Sequence, residues 1–111
     1  MRAPTVMREA DTRWPQPNTH PIHDDGGSEY STPEQSRRGW HKYRRLVYFP
    51  VTTPVGDIEA YALSLKAADR GMSMWWSYTI RKSRACIETP LVYQQLATQV
   101  LEIDYGHDSG D

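Results

Sequence analysis

Five of the eight prolines, Pro4, Pro15, Pro17, Pro21 and Pro33, crowd the first third of this 111-residue chain, and no other feature restricts its folding more. Each fixes φ and lacks a backbone donor, so neither a long helix nor a central strand can run through the segment. Asp24-Asp25-Gly26-Gly27-Ser28 adds a turn signal. Val6, Met7, Trp14, Ile22 and Tyr30 could seed packing, but they share no period. Residues 1–36 therefore read as a disordered acidic arm, able to fold only on a partner.

From residue 37 onward the composition suits a core, and 111 residues suffice for one domain. Residues 37–106 are expected to form a single small α+β domain, with residues 107–111 as a frayed tail. The run Tyr43 to Val51 is rich in β-formers and predicts a strand, with Pro50 at an edge or bulge. Asp57 to Arg70 predicts a helix: Asp57 suits the N-cap, Gly71 the C-terminal turn, and Ile58, Tyr61, Ala62 and Leu65 one apolar stripe. A strand competes there, because Tyr61, Leu63 and Leu65 also alternate. Met72 to Lys82 alternates more cleanly and predicts a half-buried strand with Trp76 and Tyr78 inside and Trp75 outside. Thr89-Pro90 reads as the start of a second helix ending near Gly106, with Val92, Leu96, Val100 and Ile103 along one stripe. The expected fold is α+β: a small sheet of two or three strands with helical cover on one face. The order is β-α-β-α, or β-β-β-α if residues 57–66 extend. With the first helix as a crossover, its two flanking strands would be parallel. So small a sheet suggests a further strand or a homodimer.

One cysteine, Cys86, excludes an internal disulfide, which points to a reducing, cytoplasmic setting. Its most natural role is as a small packing residue. Met1-Arg2-Ala3-Pro4 leads into no apolar run of the kind a signal peptide needs, and no stretch is apolar enough for a membrane span. Two histidines and two carboxylates in His20-Pro21-Ile22-His23-Asp24-Asp25 are metal-ligand types, but one short linker does not complete a site. No phosphate loop, nucleophile elbow or paired-carboxylate motif appears, so neither catalysis nor a cofactor is expected.

Charge is strongly segregated. The formal net charge is -1, yet residues 37–84 hold ten Lys and Arg against Asp57, Glu59 and Asp69, while residues 85–111 hold acids alone. The densest part of the basic module comprises Arg37, Arg38, Trp40, Lys42, Tyr43, Arg44 and Arg45. A second cluster, Arg81, Lys82 and Arg84, follows the second strand, and Trp75 offers another exposed indole. Cations interleaved with aromatic faces can neutralise phosphates and stack on unpaired bases. These eleven residues are the candidate binding set, for DNA or RNA or alternatively for a protein partner on which a small inhibitor or adaptor docks. A solvated face that blunts an edge strand would carry the same charges.

Leu65-Lys66-Ala67-Ala68-Asp69-Arg70-Gly71-Met72-Ser73 resembles the junction between the helices of ribbon-helix-helix DNA-binding proteins. That resemblance implies a dimeric regulator in which Leu46 to Val51 is the groove-reading strand and a second helix follows Ser73. The alternating Met74 to Ile80 departs from that pattern.

Overall fold

The computed structural model describes residues 20–88 and 93–109. The elements in chain order are β1 (His23–Asp24), β2 (Ser28–Glu29), α1 (Pro33–Arg37), β3 (Trp40–Pro50), α2 (Val55–Asp69), β4 (Trp75–Glu88) and β5 (Tyr93–Asp108). The five strands form one antiparallel sheet in the order β1-β3-β5-β4, with β2 also pairing with β3.

This corrects the expected fold, a sheet of two or three strands. The largest difference is the C-terminal segment, expected as a helix, which forms β5 and lies between β3 and β4. As a central strand β5 is buried on both faces: Leu101 and Ile103 on one, Thr98 and Val100 on the other. Adjacent apolar residues such as Val100 and Leu101 erase the alternation that marks a half-buried strand, leaving a spacing that also fits a helix. The ribbon-helix-helix resemblance falls with the same finding, because residues 75–88 are β4 rather than a second helix.

Of the expected arm, residues 1–19 lie outside the described residues, and part of residues 20–36 is structured. Asp24 and Glu29 oppose Val47 and Tyr43, so β1 and β2 occupy the outer edge of β3. Gly26 and Gly27 take positive φ in the turn between them. α1 begins in a capping box: Thr32 Oγ1 accepts from the Gln35 amide, and Gln35 Oε1 accepts from the Thr32 amide. Pro33 sits in the first turn, where its missing donor costs nothing.

The crossover helix is where the apolar stripe puts it. Ile58 and Ala62 are fully buried, and Tyr61 and Leu65 pack beside them. Pro54, rather than Asp57, occupies the N-cap, and Arg70 closes the helix in the left-handed region at φ 56°. β3 and β4 are both antiparallel to β5, so they run parallel to each other with β5 between. The core is the layer between α2 and the sheet, formed by Val47, Phe49, Ile58, Ala62, Leu101 and Ile103. Gln99 reaches from β5 into the loop before α2, where its Nε2 donates to the carbonyls of Val51 at 3.1 Å and Thr53 at 2.6 Å. No helix among the described residues is long and apolar enough to cross a membrane.

Candidate binding face

Strand alternation sorts the basic and aromatic residues onto two faces. In β3 the odd-numbered residues Tyr43, Arg45, Val47 and Phe49 lie opposite Tyr105, Ile103, Leu101 and Gln99 on the face covered by α2. The even-numbered residues Trp40, Lys42, Arg44, Leu46 and Tyr48 lie on the other face, which among the described residues α1 flanks at its Trp40 end and no other helix covers. Register carries the same division into β4, placing Trp75, Ser77, Thr79 and Arg81 on the helix-free face.

Of the eleven candidate residues, the fold brings five together on that face: Trp40, Lys42, Arg44, Trp75 and Arg81. Arg38 caps α1 beside it, paired with Glu34 at 3.0 Å, and lines a shallow pocket of about 290 Å³ with Gln35, Trp40 and Asp108, while Arg37 is exposed in the last turn of α1. The remaining four do not belong to it. Tyr43 stacks on Tyr105 of the helix-covered face, with ring centroids 5.4 Å apart. Arg45 on that face donates to both carboxylate oxygens of Asp24, at 2.9 and 2.6 Å. By alternation Lys82 and Arg84 also point to the helix side, and both are exposed.

At one end of the helix-free face Trp40 and Trp75 stack, with centroids 5.3 Å apart and planes 28° from parallel. They meet across β5 because Trp75 is registered with Gly106, whose missing side chain leaves room for the indole. A Cβ at Gly106 would lie 2.6 Å from Trp75 Cη2 and closer still to Trp75 Cζ2 and the His41 carbonyl. Trp40 remains 41% exposed, so its outer surface is open to a ligand. Beside the pair, Tyr30 presents a ring with Lys42 Nζ 4.9 Å and Arg44 Cζ 4.7 Å from its centroid. Cations held over a ring in this way gain about 0.5–1 kcal/mol at exposed sites.

The face is electrically mixed. Arg44 Nε lies 2.8 Å from Asp104 and 3.2 Å from Glu102, and Arg81 Nη1 lies 2.9 Å from Glu102. The hydrogen bond to Asp104, with the charges of Asp104 and Glu102, outweighs desolvation and raises Arg44 above its ordinary pKa. Sequence reasoning missed Tyr30, Glu102 and Asp104. Tyr30 fell in the supposed arm, and both carboxylates in the supposed helix. The signal for Tyr30 was the Thr32-Pro33-Glu34-Gln35 capping pattern just after it, which marks ordered chain.

Asp24, from the linker that holds metal-ligand residue types, is engaged with Arg45 and with the Tyr61 hydroxyl at 3.2 Å. Among the described residues no three His, Cys, Asp or Glu side chains converge as a metal site would require. The side chain of Cys86 lies outside the described residues. Comparison with protein-family models, with curated proteins and with solved structures finds no match.

Proposed function

We propose that this chain is a small non-enzymatic binding protein whose helix-free sheet face receives single-stranded nucleic acid. One observation carries the reading: the stacked Trp40–Trp75 pair shares that face with Tyr30, Lys42, Arg44 and Arg81, which come from separate strands or segments. Bases would stack on Trp40 and Tyr30, and phosphates would be met by Lys42, Arg37 and Arg38. Stacking of this kind contributes about 1–3 kcal/mol per base and tolerates any sequence. The single cysteine favours a reducing compartment such as the cytoplasm for this activity.

The test is a titration of mixed-sequence single-stranded DNA and RNA followed by tryptophan fluorescence across a salt series. Binding should quench Trp40 emission and weaken with salt at a slope corresponding to about two to four phosphates. Trp40→Ala should reduce affinity about tenfold, near the lower stacking value. Absence of binding at low salt would end the nucleic-acid reading.

A second reading, a protein-interaction module, draws on the carboxylates that hold Arg44 and Arg81. A face with its charges already matched suits a mixed protein surface better than a polyanion. A photo-crosslinker at residue 40 separates the two. Nuclease-resistant adducts to one protein would favour the second reading, and nuclease-sensitive adducts the first.

A further inference from the structure

The two edges of the sheet differ. The outer side of β3 is occupied by β1 and β2, whereas β4 is the last strand in the order and pairs only with β5 among the described residues. Its backbone direction follows from the ladder. The Ser109 amide donates to the Gly39 carbonyl, so the odd-numbered residues of β5 address β3 and its even-numbered residues address β4. The Met74 amide accordingly donates to the Gly106 carbonyl at 2.7 Å. The even residues of β5 are registered with Trp75, Ser77, Thr79, Arg81 and Ser83. Trp76, Tyr78, Ile80 and Lys82 must therefore turn their N–H and C=O groups outward. Trp76, Tyr78 and Ile80, which pack against the core, are themselves only partly buried along this edge.

We infer that this edge pairs with β4 of a second copy, antiparallel about a twofold axis at Thr79. The pattern of the strand itself favours this occupant. Residues 72–80 of the β4 segment carry no charge, and Arg81, Lys82 and Arg84 follow together. Parallel in-register pairing would set those cations against each other, as edge-protecting charges do. Twofold pairing at Thr79 avoids this: Lys82 opposes Trp76 of the second copy, Arg81 opposes Ser77, and Tyr78 opposes Ile80. Cation meets indole, aromatic ring meets β-branched side chain, and the outward backbone groups of both strands are satisfied. The axis is perpendicular to the sheet, so the helix-free faces of the two copies would lie side by side on the same surface. This inference does not depend on what that face binds.

The test is sedimentation equilibrium of the full chain from about 1 to about 200 μM, a range that brackets micromolar association, combined with amide hydrogen exchange at both ends. The expected result is a doubling of mass with concentration. The amides of Trp76, Tyr78, Ile80 and Lys82 should slow by about tenfold or more as the dimer fills, while those of Ser77, Thr79 and Arg81 stay protected throughout. A monomer at the highest concentration overturns the inference. So does a dimer that leaves those four amides unprotected. Equal protection at every concentration without a mass change would give the edge to another segment of the same chain, and also overturns it.

Discussion

At the scale of single residues, two positions make sharp demands. Gly106 is buried beneath Trp75, and a methyl group there meets that indole and the His41 carbonyl. The indole can move, but the carbonyl belongs to the β3–β5 ladder, so Gly106→Ala should destabilise by about 1–3 kcal/mol, the usual range for overpacking. Urea unfolding would measure this, and near-UV circular dichroism should show the Trp40–Trp75 coupling lost. An unchanged midpoint would mean that the strands do not approach so closely. Glu29 is the second position. Its carboxylate accepts from the Ser31 hydroxyl at 2.7 Å and the Ser36 hydroxyl at 3.0 Å, and it contacts His41 Nδ1 at 2.8 Å. The Ser31 bond is the largest influence, followed by His41 and Ser36, and together they bring the pKa from 4.5 to about 2. Because the folded value is depressed, the stability this group contributes is fully present above pH 4.5 and is lost as pH falls towards 2. A carboxyl ¹³C titration should place the Glu29 midpoint near that lower value, and Ser31→Ala should raise it. A wild-type midpoint at the ordinary glutamate value would refute the arrangement.

At the scale of elements, the helix and the half-buried strand were legible, whereas the central strand was not. Ile58, Ala62 and Leu65 mark α2 because one side of that helix meets the core and the other meets water, so burial leaves a period in the sequence. Trp76, Tyr78 and Ile80 mark β4 for the same reason. β5 has no wet face along Thr98 to Ile103, and no period survives there. The candidate site was legible in chemistry but only half legible in place. The Arg44-Arg45 pair shows why: adjacent strand residues point to opposite faces, so one joins the binding face and the other ties Asp24 beneath α2. Burial alone would raise the Asp24 pKa, but its bonds from Arg45, the Gly26 amide and Tyr61 outweigh that and hold it below 3.8. The contrast within α2 gives a prediction. Ile58→Ala should cost about 2–4 kcal/mol, because Ile58 is fully buried between helix and sheet, whereas Leu63→Ala on the exposed side should cost under about 0.5 kcal/mol. Equal costs in chemical denaturation would mean that α2 packs through a different face.

At the scale of the whole molecule, topology ties distant parts of the chain together before the binding face can exist. β3 must find β5 across the intervening helix and β4, with Trp40 opposite Asp108 and Pro50 opposite Thr98. The hairpin of β4 and β5 is local by comparison. The Trp40–Trp75 stack needs all three strands, since its members sit on opposite sides of β5. Closing such non-local pairings is slow, and folds dominated by them form in roughly milliseconds to seconds. Refolding after brief denaturation, too short for the prolines to isomerise, should therefore be a single exponential in that range. The near-UV signal of the indole pair and the far-UV signal of α2 should recover with the same rate constant, because among the described residues α2 has its apolar side covered by the assembled sheet of β3, β4 and β5. Recovery of the helical signal well ahead of the indole signal would show that α2 is stable without the sheet. The binding face would then be a late addition to a preformed helix rather than a product of the same cooperative step.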